Sequence, residues 1–354
     1  MLPVAARGRT GARTWAHMIP AAPLSLQPPR WQQALREAVR DPRELLAMLG
    51  LQQAAMAVSP EAAAQFPLKV PRGFVARMRP GDPHDPLLRQ VLPLDDEMRP
   101  MPGFTSDAVG DAAARAGHGV LHKYAGRALL VSTGSCAIHC RYCFRRHFPY
   151  AEETAAAGGW QDAVAAVRAD ESITEVILSG GDPLSLATAK LSELTTQLAA
   201  LPHLRRLRIH TRLPVVLPAR VDDGLVGWLQ GLPWPSAVVL HANHANEFDA
   251  GVDEALGRLR AAGASLLNQA VLLRGVNDST GALAALCERG FMAGVLPYYL
   301  HQLDRVAGAA HFEVTDARAR RLHGELVERL PGYLVPRLVR EVAGDASKRP
   351  LSQG

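Results

Sequence analysis

The chain has 354 residues, 48% of them hydrophobic and 21% charged, with a formal net charge of +5. That balance excludes wholesale disorder, and no apolar run approaches the roughly 18 residues that a membrane helix needs. The positive charge is too mild to single out a nucleic-acid binder by itself.

Residues 1–30 are rich in Pro and Ala, and Pro20, Pro23, Pro28 and Pro29 argue against regular structure, so this stretch reads as a disordered tail. Arg7, Arg9 and Arg13 without an acid imitate an organellar transit peptide, but nothing there resembles the apolar core of a secretory signal. The expected location is the cytoplasm. Trp31–Arg40 and Asp41–Leu49 read as two short helices, the second opened by Asp41-Pro42 as cap and first-turn residue. From Pro71 to Gly103 the prolines return with turn signals such as Gly81-Asp82-Pro83. Residues 31–120 are therefore expected to form an N-terminal helical extension wrapped over something else.

From Ala128 the pattern becomes regular. Apolar runs at Ala128–Ser132, Glu175–Leu178, Arg208–Thr211, Ala237–Leu240, Leu266–Val271 and Val295–Tyr298 read as strands. Helix-compatible stretches lie between them at Trp160–Arg168, Leu191–Leu201, Asp222–Leu229, Val252–Ala262 and Thr280–Arg289. The alternation predicts an α/β fold with a parallel sheet, a partial (β/α)6 TIM-like barrel over residues 121–350. Polar or glycine-rich sequence follows nearly every run: Gly134-Ser135-Cys136, Gly180-Gly181-Asp182, Arg212, His241 to His244, Arg274-Gly275 and His301 to Asp304. In parallel barrels that end of the strands carries the active site, so the chain reads as an enzyme.

Two compositional facts sharpen this. Of the 39 basic residues only Lys69, Lys123, Lys190 and Lys348 are lysine, so a lysine that survives is a candidate for chemistry arginine cannot perform. Of the four cysteines, Cys136, Cys140 and Cys143 give a C-x3-C-x2-C spacing, while Cys287 sits in a helical run and reads as packing. Three thiolates on one loop can hold three corners of an iron–sulfur cubane and leave one iron open. The rival is a Cys3His zinc site completed by His147, in a zinc-containing RNA-binding module. A second metal knuckle and a basic stretch with interleaved aromatics are both missing, which favours the cluster.

C-x3-C-x2-C directly after the first barrel strand resembles the signature of radical S-adenosylmethionine enzymes. The resemblance implies a [4Fe-4S] cluster and S-adenosyl-L-methionine, with Tyr142 near the adenine and Gly180, Gly181 and Asp182 forming the motif that receives the methionine amino group. The likeness narrows to lysine 2,3-aminomutases through Cys143 to Arg146, Leu178 to Pro183, Pro214 to Pro218, His244 to Glu247, Val271 to Asp278 and Pro297 to Leu300. That family implies pyridoxal 5′-phosphate held by Lys348, with Lys123, Tyr124 and Arg127, and less firmly Gln269, around its phosphate. It also implies Arg145 on the substrate carboxylate, a bidentate task suited to guanidinium, and Asp304 with Glu341 on the distant ammonium of L-lysine.

There are departures too. The longer metabolic aminomutases carry zinc-binding cysteines beyond the cofactor lysine and near Asp278-Ser279; this chain runs to Gly354 with no cysteine at either place, and its second acid is Glu341 rather than aspartate. These features, with Leu121 to Tyr124, Arg141 to Tyr150, Val70 to Arg72 and Asp85 to Val91, resemble instead the branch that serves β-lysylation of elongation factor P. The implied reaction converts L-α-lysine to β-lysine for a ligase that attaches it to elongation factor P. The alternative is a free-standing metabolic aminomutase for lysine or another amino acid. An electron donor such as flavodoxin is implied; neither a membrane nor direct nucleic-acid contact is, and a homo-oligomer is left open.

Overall fold

The structure, a computed structural model, describes residues 30–52 and 58–351. The tail expected over residues 1–30 lies, apart from Arg30, outside the described residues.

Ten strands form one sheet in sequential order: β1 (Arg115–Gly117), β2 (Val120–Tyr124), β3 (Arg127–Thr133), β4 (Glu175–Gly180), β5 (Arg206–Thr211), β6 (Ser236–Leu240), β7 (Ser265–Val271), β8 (Leu296–His301), β9 (Arg337–Arg340) and β10 (Arg349–Pro350). Strands β3 to β9 pair in parallel, each with the next. Antiparallel partners finish both edges, β1 and β2 on one side and β10 on the other. Because β1 and β10 do not pair, the barrel is open, and the α/β class and partial barrel are as the pattern predicts. Two details differ. The sheet begins at Arg115, inside the stretch read as extension, and β9 adds a seventh parallel strand.

The strand interiors are near-continuous apolar runs because helices cover one face and the barrel core fills the other. Leu130, Val176, Leu178, Ile209 and Leu240 are all fully buried. The helices begin where side-chain oxygens take up otherwise orphaned N–H groups. Asp222 caps α9 (Asp223–Gln230), Asp249 caps α10 (Ala250–Ala261), Ser279 caps α11 (Thr280–Met292) and Thr315 caps α12 (Asp316–Arg329). Their inner stripes follow the helical repeat, as Leu191, Leu194 and Leu198 do on α7 (Thr188–Ala199). The first barrel helix, α6 (Gln161–Ala169), starts one residue later than its pattern suggests, because Trp160 adopts a left-handed φ of 72°.

The N-terminal part is a chain of short helices: α1 (Arg30–Arg36), α2 (Pro42–Met48), α3 (Pro60–Gln65), α4 (Arg72–Val75) and α5 (Pro86–Arg89). Leu45, Phe74, Leu87 and Leu88 are buried in the same continuous core as the barrel strands, so this part is packed onto the barrel. Among the described residues no helix is long and apolar enough to cross a membrane. A further short helix, α8 (Leu213–Val216), follows β5 directly and helps close the strand ends where the site lies.

Candidate active site

A cavity of about 720 Å³ opens at the C-terminal ends of the strands. Every residue that the family resemblance implies lines it: Lys123, Tyr124 and Arg127; Cys136, Cys140 and Cys143; Tyr142 and Arg145; Gly180, Gly181 and Asp182; Gln269, Asp304, Glu341 and Lys348. These come from β2, from the start of β3 and the loop after it, from the end of β4 and the turn that follows, from β7, from the loop after β8, and from the segment between β9 and β10. Convergence of residues so far apart in sequence is what an enzyme site requires.

The cysteine loop follows β3 and is gripped by the N-terminal part. Lys69 Nζ donates to the Cys136 carbonyl at 2.6 Å, and the His139 N–H donates to the Lys69 carbonyl at 3.0 Å. Farther along, Arg141 Nε and Nη2 donate to the two oxygens of Glu97 at 2.7 and 2.6 Å, and Arg146 Nη2 donates to the second of these at 2.7 Å. All three side chains are buried, so one carboxylate is shared by two guanidinium groups and leaves a net positive charge at the base of the loop. Burial raises the Cys136 thiol well above its ordinary value, and burial followed by the charge of Cys140 raises Cys143 to about 11. Such a trio ionises together only around positive charge, and three thiols on one loop are the donor set that an iron–sulfur cubane takes. His147 is turned elsewhere, its Nε2 3.1 Å from the Ala307 carbonyl.

The glycine pair is required by close approach. Gly180 has a φ of +108°, and a Cβ on Gly181 would fall 2.5 Å from the Ser135 carbonyl oxygen, so the turn after β4 lies directly on the cysteine loop. Asp182 lines the cavity, yet its carboxylate is already engaged. It accepts from the N–H groups of Leu184, Arg212 and Leu213 and from the Thr211 hydroxyl, which makes it a clip between the β4 and β5 turns.

At one end of the cavity, Arg145 Nε donates to Asp111 Oδ2 at 2.7 Å, Nη1 lies 3.3 Å from Ser179 Oγ, and the guanidinium packs over the Phe144 ring. Lys123 Nζ donates to the Val109 carbonyl at 2.8 Å, and Arg127 stacks on the Tyr124 ring at 4.8 Å. Tyr124 Oη donates to Glu341 Oε1 at 2.7 Å, and Lys348 Nζ forms an ion pair with Glu341 Oε2. Burial would raise Glu341, but Lys348, Tyr124 and Lys123 outweigh it and hold the carboxyl below its ordinary range. Asp304 goes the other way. Burial pushes it up to about 7, only partly opposed by Lys348, and its Oδ1 has no hydrogen-bond partner. An orphaned buried carboxyl beside a cation–anion pair is a site short of one cation.

Several residues of this site are not evident in the sequence motifs. Arg212 donates to Tyr142 Oη at 2.7 Å, contacts Cys140 Sγ, and is itself held by Glu247 and Gln90. His210, His241 and His301 line the wall, all shifted toward the neutral form by burial. Arg212, His241 and His301 each follow or end a strand, so the position-after-strand signal pointed to them. Asp111 and Glu97 carried no such signal.

Comparison with known proteins follows the same line. The chain is 48% identical over 322 residues to the L-lysine 2,3-aminomutase of Escherichia coli (strain K12), covering 91% of this chain and 94% of that one. It is 42% identical over 331 residues to the L-lysine 2,3-aminomutase of Haemophilus influenzae, covering 94% and 98%. With the L-lysine 2,3-aminomutase of Clostridium subterminale the identity is 32% over 279 residues, covering 78% of this chain and 67% of that longer one. No protein-family model matches. Among solved structures, a radical SAM methyltransferase from Sphaerobacter thermophilus aligns over 62% of this chain and 68% of its own, at 19% identity and a TM-score of 0.42, a likeness too loose to weigh.

Proposed function

This chain belongs to the L-lysine 2,3-aminomutase family, a family of isomerases, and from that premise we propose that it moves the α-amino group of L-lysine to Cβ, giving β-lysine. The observation that carries the reading is one cavity lined at once by three clustered thiols, a buried arginine, an unsatisfied acid and a lysine. When bound, a [4Fe-4S] cluster with S-adenosylmethionine supplies a 5′-deoxyadenosyl radical, and pyridoxal phosphate supplies the means of shifting nitrogen between carbons. Cys136, Cys140 and Cys143 would hold the cluster, Tyr142 and the Gly180-Gly181 turn would face the nucleotide, and Lys348 would hold the pyridoxal. Lys123, Tyr124 and Arg127, with Gln269, would surround its phosphate.

The protein's own part is to measure and orient the substrate. Arg145 offers the Nη groups that Asp111 leaves free to the α-carboxylate. Asp304 and Glu341 receive the side-chain ammonium. Glu341 now holds the Lys348 ammonium, so a Lys348 engaged elsewhere leaves that carboxylate for the substrate's cation. The arriving ammonium draws Asp304 back to its ionised form, which makes a cationic side chain the preferred fit over an acidic one. The buried walls exclude water from the radical.

Asp182 is better read as a clip that fixes the glycine turn than as a direct ligand, since its carboxylate already accepts four hydrogen bonds. For the fate of the product, we infer delivery to a ligase that attaches β-lysine to elongation factor P, with flavodoxin or a similar protein as electron donor. Supporting this branch are the motifs around Lys123 and Arg145.

The test is anaerobic incubation of cluster-loaded, pyridoxal-loaded protein with L-lysine, S-adenosylmethionine and a reductant, followed by chromatographic separation of the lysine isomers. β-Lysine supports the proposal. 5′-Deoxyadenosine without β-lysine keeps the radical chemistry and rejects lysine. Adding the ligase and elongation factor P tests the destination by the intact mass of the latter.

A further inference from the structure

We propose that Asp111 is a positioning residue that locks the substrate-carboxylate arginine and the cofactor-phosphate lysine into one unit, so that substrate and cofactor are set relative to each other by a single carboxylate. The inference rests on the reading above for what Arg145 and Lys123 bind, and goes beyond it in assigning the residue that holds them.

Asp111 lies in a loop of the N-terminal part, before the barrel strands, and is only 2% exposed. Its two oxygens serve cations from two different elements. Oδ2 accepts from Arg145 Nε in the cysteine loop at 2.7 Å, and Oδ1 pairs with Lys123 Nζ on β2 at 2.7 Å. The loop is itself pinned. The Asp111 N–H donates to Asp107 Oδ1 at 2.8 Å, and Lys123 Nζ also donates to the Val109 carbonyl. Between them Gly110, at a φ of +68°, packs so closely on the segment carrying Lys348 that a Cβ would fall 2.8 Å from the Ala343 Cβ. One short loop therefore touches the cysteine loop, the proposed phosphate cluster and the lysine-bearing segment.

The chemistry of this arrangement is specific. Without Asp111, the buried Arg145 guanidinium would lose its only carboxylate partner among the described residues and Lys123 would be left with the more distant Glu341, at 3.5 Å, so each would be free to reorient. With Asp111 on Nε, the guanidinium plane is fixed and its outer nitrogens remain for a carboxylate, so less conformational freedom is lost on binding.

The experiment compares wild type, Asp111→Asn and Asp111→Glu. Cluster-free protein is titrated with pyridoxal phosphate alone, read by its bound absorbance, and with L-lysine, read by calorimetry; loaded protein gives kcat and KM. For Asp111→Asn the loss of a charge-assisted bond predicts lysine binding weakened roughly tenfold or more, pyridoxal phosphate binding weakened with it, and kcat falling by less than KM rises. Asp111→Glu keeps the charge, so it retains the wild-type melting temperature while KM for lysine rises several-fold. A folded Asp111→Asn with unchanged affinity for both ligands overturns the proposal. If that variant does not fold, Asp111→Glu decides: an unchanged KM, or a lowered melting temperature with no shift in KM, reduces Asp111 to a structural ion pair. A wild-type protein that neither binds nor converts lysine would instead sink the function proposed above, which separates the two failures.

Discussion

Replacing Glu97 by Gln tests whether the N-terminal part builds the cysteine loop. The Glu97 side chain is 1% exposed, and its partners Arg141 and Arg146 are 0% and 2% exposed, so neither guanidinium can turn to water when the carboxylate is neutralised. Removing one member of a buried ion pair costs about 3–5 kcal/mol. The amide keeps the shape and one acceptor oxygen, which places the expected loss near the lower end, about 3 kcal/mol. For a chain of this size that is a fall in melting temperature of about 4 °C. The loss is centred on the loop between Cys140 and Arg146, so iron uptake should fall with it. Calorimetry of the cluster-free protein, then iron and sulfide per chain after anaerobic reconstitution, reads both effects. Glu193→Gln, which breaks only the exposed pair with Lys190, is the control and should change stability by less than about 0.5 kcal/mol. A Glu97→Gln protein that melts with wild type and takes up iron fully would refute the reasoning.

Asp304 gives a pH prediction. Its carboxyl is raised from 3.8 to about 7 in the folded chain, so its contribution to stability is fully present below pH 3.8 and is lost as pH rises through 7. Asp304→Asn should therefore stabilise lysine-free protein at pH 8 more than at pH 5 in thermal melts, while abolishing lysine binding; equal effects at both pH values would contradict the burial argument. Lys348→Arg keeps a cation beside Glu341, so the fold should persist while the visible absorbance of bound pyridoxal phosphate disappears; retention of that spectrum would remove Lys348 from its role. In Gly181→Ala the new methyl meets the Ser135 carbonyl oxygen, and the two turns must separate at a cost of roughly 1–3 kcal/mol. Reconstituted Gly181→Ala protein should show reduced iron per chain, and full loading at wild-type stability would show that the turn is not needed to seat the loop.

How far the sequence spoke for itself differs from element to element. Strands β3 to β8 were readable because each is an apolar run bounded by turn residues, and α6, α7, α9, α10 and α11 because a helix-compatible stretch lies between each pair of runs, whereas α12, with a mostly polar and charged surface, was not singled out. β9 and β10 were not. Four residues flanked by arginine and two residues containing proline give no measurable period, and their pairing is decided by what β8 leaves exposed. The cysteine spacing is a local signal, so its chemistry could be read directly. Asp111 and Glu97 act through partners 34 and 44 positions away, and no local pattern marks them. Asp182 shows the opposite difficulty. Its place in a glycine motif suggested a ligand, whereas the structure engages its carboxylate in backbone and hydroxyl hydrogen bonds. Type and order of elements followed from pattern; the division of work among charged residues followed only from contact.

The central claim is that this cavity moves nitrogen within one lysine molecule. An equal mixture of unlabelled L-lysine and L-lysine labelled with both 15N at the α-amino group and 13C at C3, turned over anaerobically by the loaded protein in unlabelled ammonium buffer, tests it directly by 13C NMR of the product, since transfer between molecules would put unlabelled nitrogen on half of the 13C3. The account predicts a product whose 13C-labelled C3 is always bonded to 15N, with no loss of label to the buffer. Lysine recovered unchanged from protein shown to hold iron, sulfide and pyridoxal phosphate, or a product whose nitrogen has exchanged with the buffer or with another lysine, would contradict it.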